Sequence, residues 1–220
     1  MNFFNTQNIV FEAYGYPMSW IELVATLFGL LAVFLSAKEH IATWGFGLIN
    51  VTLSFIVFKQ AALYSDMILQ IYFFLTGVYG WYMWARRDDD TRENVVKITF
   101  LKPKQQVYLA LSIVVMTLLL AQAIMRLPQW LPQYFPQPAA FPYVDTSIMV
   151  MSIFGNYLLT IKKIEAWILW VIVDIIAPIV YFQKHMLLFT FEFLIFLAIA
   201  IFALVNWINI YKKEKIKSLP

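Results

Sequence analysis

The chain has 220 residues, 62% of them hydrophobic and 13% charged, with a mean hydropathy of +0.72. This balance excludes an ordinary soluble domain and describes a membrane protein with little mass outside the bilayer. The absence of cysteine excludes thiolate metal sites, disulfides and thiol catalysis, and the net charge of +3 is distributed along the chain in a way that argues against a nucleic-acid surface.

A membrane span needs about 20 mostly apolar residues. Seven are predicted, at roughly 19–37, 41–58, 63–85, 106–125, 144–161, 165–182 and 187–210. Residues 1–18 form an external N-terminal segment, and with no Lys or Arg before Lys38 the first span lacks the basic flank of a cleavable leader. Residues 19–85 make a first triple-helix unit. Residues 86–143 hold a cytoplasmic loop, a linker span and an external Pro-rich connector, and 144–210 make a second triple-helix unit before a basic tail at 211–220.

Within the middle region, "RRDDDTRENVVKITFLKPKQQ" from Arg86 to Gln106 mixes signs and reads as a solvated loop. The stretch "MRLPQWLPQYFPQPAAFPYVD" carries five prolines and cannot be one continuous helix. Alternating the loops between the two sides places Lys38, Arg86, Arg87, Arg92, Lys97, Lys102, Lys104, Lys162, Lys163, Lys212, Lys213, Lys215 and Lys217 together, against only Lys59, Arg126 and Lys184. The positive-inside rule puts the larger group in the cytoplasm, the N-terminus outside and the C-terminus inside.

Sliding the chain against itself by 126 positions aligns Val24 with Val150, Phe28 with Phe154, Gly29 with Gly155, Glu39 with Glu165, Trp44 with Trp170, Ile49 with Ile175 and Trp81 with Trp207. Asp66 with Glu192 and Lys59 with His185 are similar pairs at the same offset. An internal duplication follows. Because a three-span unit reverses its own direction, an extra span between the copies restores it, so the fold class is an all-α integral membrane protein. Its seven transmembrane helices form two parallel three-helix bundles joined by a linker helix. Parallel repeats of this kind occur in transporters whose site lies near the midplane between the repeats.

Ionisable groups in mid-membrane cost about 2.5–3.5 kcal/mol on insertion scales and mark a cavity or a partner. Asp174 lies nine residues past Glu165, about 14 Å into its helix at 1.5 Å per residue, near the centre of a core about 30 Å thick. It reads either as a site residue or as a structural carboxylate bonded to a neighbouring helix. Trp167, Trp170 and Asp174 share one stripe. Asn50 reaches a similar depth, as ligand contact or interhelical glue, beside Gly47 and Ser54. On the third span Gln70 is deeper than Asp66, whose place near the external end suits hydration or a gate. Ser152, Asn156 and Thr160 recur at four-residue spacing in the second unit, with Glu192 and Asn206 on the last span. Glu39 and Glu165 open equivalent helices and read as partners for the helix dipole or for nearby Lys.

The motifs W-x-x-G-x-x-N (Trp44, Gly47, Asn50), Y-x-D-x-x-x-Q-x-Y (Tyr64, Asp66, Gln70, Tyr72), G-W-Y-x-W (Gly80, Trp81, Tyr82, Trp84) and W-x-x-W-x-x-x-D (Trp167, Trp170, Asp174) stand in this order on the predicted spans. Together they resemble the PnuC family of bacterial nicotinamide riboside transporters, over nearly all of residues 19–210. The resemblance implies uptake of nicotinamide riboside across the inner membrane by facilitated diffusion, with capture inside by a separate kinase that phosphorylates it. It also implies kinship with the SWEET sugar transporters. Candidate substrate-binding residues are Asn50, Gln70, Asn156, Trp167, Trp170 and Asp174, with Trp44, Tyr72 and Asn206 behind them. No catalytic residue, metal or cofactor is expected, and a homotrimer is left open as the assembly.

Competing readings are a carrier of the same fold for another vitamin, nucleoside or sugar; a membrane enzyme; and a retinal-type sensor. The enzyme reading finds His40 and His185 near helix ends on opposite sides and no clustered acids. A retinal sensor needs a mid-membrane Lys in the last span, and 187–210 has none.

Overall fold

The computed structural model describes residues 3–13, 15–60, 64–86, 95–133, 141–183 and 187–217. Among them seven helices follow in chain order: α1 Trp20–Ala37, α2 Ala42–Gln60, α3 Tyr64–Ala85, α4 Pro103–Trp130, α5 Pro142–Thr160, α6 Glu165–Gln183 and α7 Leu187–Lys217. Each predicted span is one of these helices. Five are long and apolar enough by composition to cross a membrane; α3 and α5 are the exceptions, diluted by Tyr, Trp, Gly, Ser and Asn. Their 22 and 19 residues still give about 33 and about 28 Å, enough for a hydrocarbon core of about 30 Å.

Packing closes six helices into a ring. α2 lies against α1 and α3, α6 lies against α5 and α7, and the circuit is completed between the bundles by α1 on α7 and α3 on α5. α4 stands outside this ring against α5, with Tyr108, Leu111, Val114 and Leu119 exposed on an apolar face suited to lipid.

The α1–α2 and α5–α6 turns are copies of each other. Glu39 N–H donates to Ser36 O and His40 N–H to Leu35 O; correspondingly Lys162 N–H donates to Leu159 O and Lys163 N–H to Leu158 O. Glu39 and Lys162 both adopt the left-handed conformation, at φ 58° and 51°, which turns the chain sharply after a helix end. Every equivalence steps by 123 residues, which corrects the 126-residue register of the sequence. The cause is helical periodicity: a slip of three residues is nearly one turn and keeps side chains close to the same face. Trp167 and Trp170 lie one turn apart, as do Trp81 and Trp84, so similarity aligns one turn out of step.

Both bundles depend on each other at this end. The last carbonyls of a helix have no intrahelical donor. Trp84 Nε1 donates to Leu159 O and Thr160 O at 3.3 and 3.2 Å, at the end of α5. In return Trp207 Nε1 donates to Ser36 O at 3.2 Å and Asn206 Nδ2 to Ala37 O at 2.9 Å, at the end of α1. The indoles of Trp44, Trp84, Trp207 and Trp167 form a continuous row, with successive centroids 5.3, 6.1 and 5.7 Å apart.

The predicted solvated loop is corrected over residues 95–102. Ile98 is buried, and Thr99 pairs as a parallel bridge with Lys163, taking Lys162 O and offering its own carbonyl to Ile164 N–H. The Glu165 carboxylate accepts from Leu101 N–H at 3.0 and 3.1 Å and from Gln106 Nε2 at 2.7 Å. Glu165 therefore binds loop backbone rather than a Lys, whereas Glu39 does pair with a lysine, Lys162. The apolar residues Ile98 and Leu101 drive this docking, which the charges around them conceal in the sequence.

At the opposite end, the N-terminal segment contains a hairpin of β1 Ile9–Ala13 and β2 Tyr16–Ser19, reversing near Gly15 at φ 80°. Ser19 caps α1 in a reciprocal box with Glu22. Tyr16 donates to Glu22 at 2.6 Å, and burial together with that carboxylate pushes its hydroxyl above the usual range, keeping it a donor. Gln60 ties Thr6 and Phe4 to the end of α2. The Asp66 side chain, Arg87, Arg92, Lys184, His185 and residues 134–140 of the Pro-rich connector lie outside the described residues.

Gly80 is where α3 meets Trp44: an added Cβ would lie 2.3 Å from Trp44 Cη2. Gly80→Ala is expected to destabilise the protein by about 1–3 kcal/mol through overpacking. A thermal-shift series in detergent would check this, and a midpoint equal to the parent's would refute it.

Candidate functional site

The ring encloses a cavity of about 360 Å³ lined by residues of all six ring helices and none of α4. Its wall is built from equivalent positions. At the 123-residue step Val33 pairs with Asn156, Ser36 with Leu159, Trp44 with Trp167, Gly47 with Trp170, Val51 with Asp174, Gln70 with Phe193, Phe73 with Phe196 and Gly77 with Ala200, every one of them a lining residue. The indoles of Trp44 and Trp167 are conserved across the duplication. Each other polar group, and Trp170, faces a small or apolar counterpart.

Seven of the nine sequence candidates line the cavity: Asn50, Gln70, Asn156, Trp167, Trp170, Asp174 and Trp44. Asn50 donates through Nδ2 to Ala25 O at 2.8 Å, tying α2 to α1, so the glue reading holds for one N–H. Asn156 donates to Thr76 Oγ1 at 2.6 Å between α5 and α3. Asp174 is 3% exposed and has no hydrogen-bond partner among the described residues, so the expectation of a structural carboxylate bonded to a neighbour is not met. Gln70 is likewise unpartnered among them.

The other two candidates stand elsewhere. Tyr72 donates its hydroxyl to Ile153 O at 2.8 Å across the α3–α5 contact. Asn206 serves the end of α1, as described above. Both are polar groups consumed by joining the bundles.

Glu192 also lines the cavity, although its spacing from the start of α7 suggests an external place. Its carboxylate is hydrogen-bonded by the Thr26 side chain. Ser36, Thr43, Phe58, Phe73, Phe193 and Phe196 complete parts of the wall that no sequence motif marks. Only the correct repeat register, which places Ser36, Phe73, Phe193 and Phe196 opposite other lining residues, would have found some of them.

The indole N–H groups of Trp44 and Trp167 and the Ser36 hydroxyl are buried without a partner among the described residues. Such groups cost stability unless something meets them. Three unmet polar groups, a bare carboxylate and a bare amide around one aromatic cavity suit a flat, polar small molecule. Among the described residues no Lys, Arg or His lines it.

Two parallel three-helix repeats closing around a central cavity define a membrane transporter. The family model described as "Nicotinamide mononucleotide transporter" matches residues 19–209, and the chain belongs to that family. It is 36% identical, over a 240-residue alignment covering 100% of this chain and 99% of the relative, to the nicotinamide riboside transporter PnuC of Escherichia coli K12. A riboflavin/roseoflavin transporter, RibM of Streptomyces davaonensis, is 22% identical over 94% of this chain and 92% of its own. A crystal structure of the vitamin B3 transporter PnuC superposes with a TM-score of 0.66 at 25% identity, covering 88% of this chain and 83% of that one.

Trp167→Phe keeps an aromatic ring but removes an unpartnered donor. Stability is expected to hold or rise, because no bond is lost, while ligand affinity falls by about 0.5–1.5 kcal/mol. Titration and thermal midpoints on the same preparation test the pair of effects; unchanged affinity would take this N–H out of the site.

Proposed function

We propose that the protein carries nicotinamide riboside, alternately exposing one central site to the two sides of the membrane. The chemistry of the cavity wall carries this reading: indoles, two carboxylates, unmet amide and hydroxyl groups and, among the described residues, no cationic side chain. A pyridinium ring is flat and positively charged, and stacking with cation–π attraction is worth about 0.5–2 kcal/mol per contact. Asp174 and Glu192 favour the charge, while Gln70, Asn50 and Asn156 suit a carboxamide and ribose hydroxyls.

The same wall argues for the nucleoside over its mononucleotide. A phosphomonoester would bring a dianion beside two acids, with no Lys or Arg among the described lining residues to receive it. Riboflavin, the cargo in the name of the more distant relative, is neutral and gains nothing from either acid. Rejection of the phosphorylated product also makes downhill uptake productive, because a cytoplasmic kinase then traps what has entered. No G-x-x-x-x-G-K-[ST] loop is present to couple transport to a nucleotide.

Membership of this family supports a bacterial inner-membrane location, and the asymmetry of basic residues supports an external N-terminus and a cytoplasmic C-terminus. The apolar outer face of α4 provides surface for a homotrimer.

Quenching of tryptophan fluorescence by nicotinamide riboside in purified protein tests the assignment, with the mononucleotide and riboflavin as competitors. The nucleoside is expected to bind most tightly. Asp174→Asn is expected to weaken it by about 1.5–3 kcal/mol, the range for bonds to a charged group. Equal binding of the mononucleotide would sink the charge argument, and preference for riboflavin would replace the cargo.

A further inference from the structure

Two layers separate the cavity from the end of the ring that carries the α1–α2 and α5–α6 turns. The first is the row of indoles, in which Trp84 and Trp207 are 4% and 0% exposed and are not part of the cavity wall. The second is the ion pair between Glu39 and Lys162, whose side chains are 21% and 3% exposed. The Lys162 ammonium also sits 4.7 Å from the centroid of the Trp84 ring.

Glu39 and Lys162 occupy equivalent positions in the two repeats, as do Trp84 and Trp207. A contact between equivalent residues straddles the approximate two-fold axis that relates the repeats. The axis is where the two bundles close against each other, and these pairs stand on it at one membrane face.

We propose that the Glu39–Lys162 pair, backed by Trp84 and Trp207, is the latch of a gate that closes this end of the transport path and parts when the bundles rock. The proposal rests on the alternating-access mechanism above, though not on the identity of the cargo. Three features distinguish a latch from a permanent staple. Its contacts join the two bodies that must separate. The indole bonds end on helix-terminal carbonyls, Leu159 O, Thr160 O and Ser36 O, which water can satisfy once the gate opens. The charges lie at a membrane face, so parting them exposes both to solvent, whereas a pair buried at mid-membrane would leave an uncompensated charge.

The chain contains no cysteine, so Ser54→Cys, in the cavity wall, supplies a single thiol in it. Its labelling by a membrane-impermeant maleimide, applied to one side of reconstituted vesicles at a time, reports which end is open. From the turn side the parent is expected to label slowly. E39K and K162E should each speed labelling from that side about tenfold, a shift of about 1.4 kcal/mol in the open population, and E39K/K162E should return it to within about twofold of the parent. If E39K does not accumulate in the membrane, Glu39→Gln is measured instead, with a rise of about threefold expected. Single reversals without effect, or a double reversal as fast as the singles, would overturn the latch. Because no cargo is added, a wrong cargo leaves these rates untouched, whereas a parent that labels rapidly from both sides would refute alternating access itself.

Discussion

The ends of α1 and α5 set the constraint on which the rest of the structure depends. In or near a membrane, the final carbonyls of a helix need donors that the helix cannot provide. Here each repeat supplies them to the other, through Trp84 to α5 and through Trp207 and Asn206 to α1. In this closed arrangement each bundle completes the helix ends of the other, and the reciprocal bonds set their relative rotation for as long as they are made. The row of four indoles then follows, since Trp44 and Trp167 pack edge-on to the two donors at 87° and 82°. The floor of the cavity is thus the same structure that holds the bundles together.

Above that floor the frame is symmetric and its chemistry is not. Equivalent positions line both halves of the cavity, yet Asn156 faces Val33, Asp174 faces Val51 and Gln70 faces Phe193. A ligand lying across a two-fold axis but lacking two-fold symmetry gains nothing from a duplicated acid or amide. A second buried carboxylate at position 51 would only add desolvation cost. The turns and the Trp84 and Trp207 donors that the fold needs recur in both repeats, whereas Asp174, Gln70 and Asn156 on the cavity wall do not.

This division explains what could be read from sequence. The helices were legible because each needs a long apolar run, and Asp174, Gln70, Asn50 and Asn156 were legible because polar groups are costly at that depth. Tyr72 and Asn206 carry the same signal, but sequence cannot distinguish a polar group aimed at a ligand from one bonded to the facing backbone, at Ile153 O and Ala37 O. The repeat was visible and its register was not, since tryptophans one turn apart match almost equally well in either alignment. The hairpin at 9–19 and the docked segment at 95–102 are too short and too mixed in composition to stand out, and tertiary contact decides them.

Fusion of the two repeats into one chain has a further electrostatic consequence. In a two-fold assembly of identical subunits, a residue on the axis meets its own copy, so any charge there faces a like charge. A fused duplication is free of that restriction: the copies diverge separately, and opposite charges become available at equivalent positions. Glu39 and Lys162 are such a pair, with matching backbone conformations at φ 58° and 51°. Trp84 and Trp207, being uncharged, meet across the axis without any need to differ. The carboxylates of the cavity show the converse case. Asp174 has Val51 as its repeat equivalent, and among the described residues no lining Lys, Arg or His balances it. One position uses the divergence of the repeats to neutralise a charge within the protein; the other leaves a cavity carboxylate with no such counterpart in its own repeat equivalent.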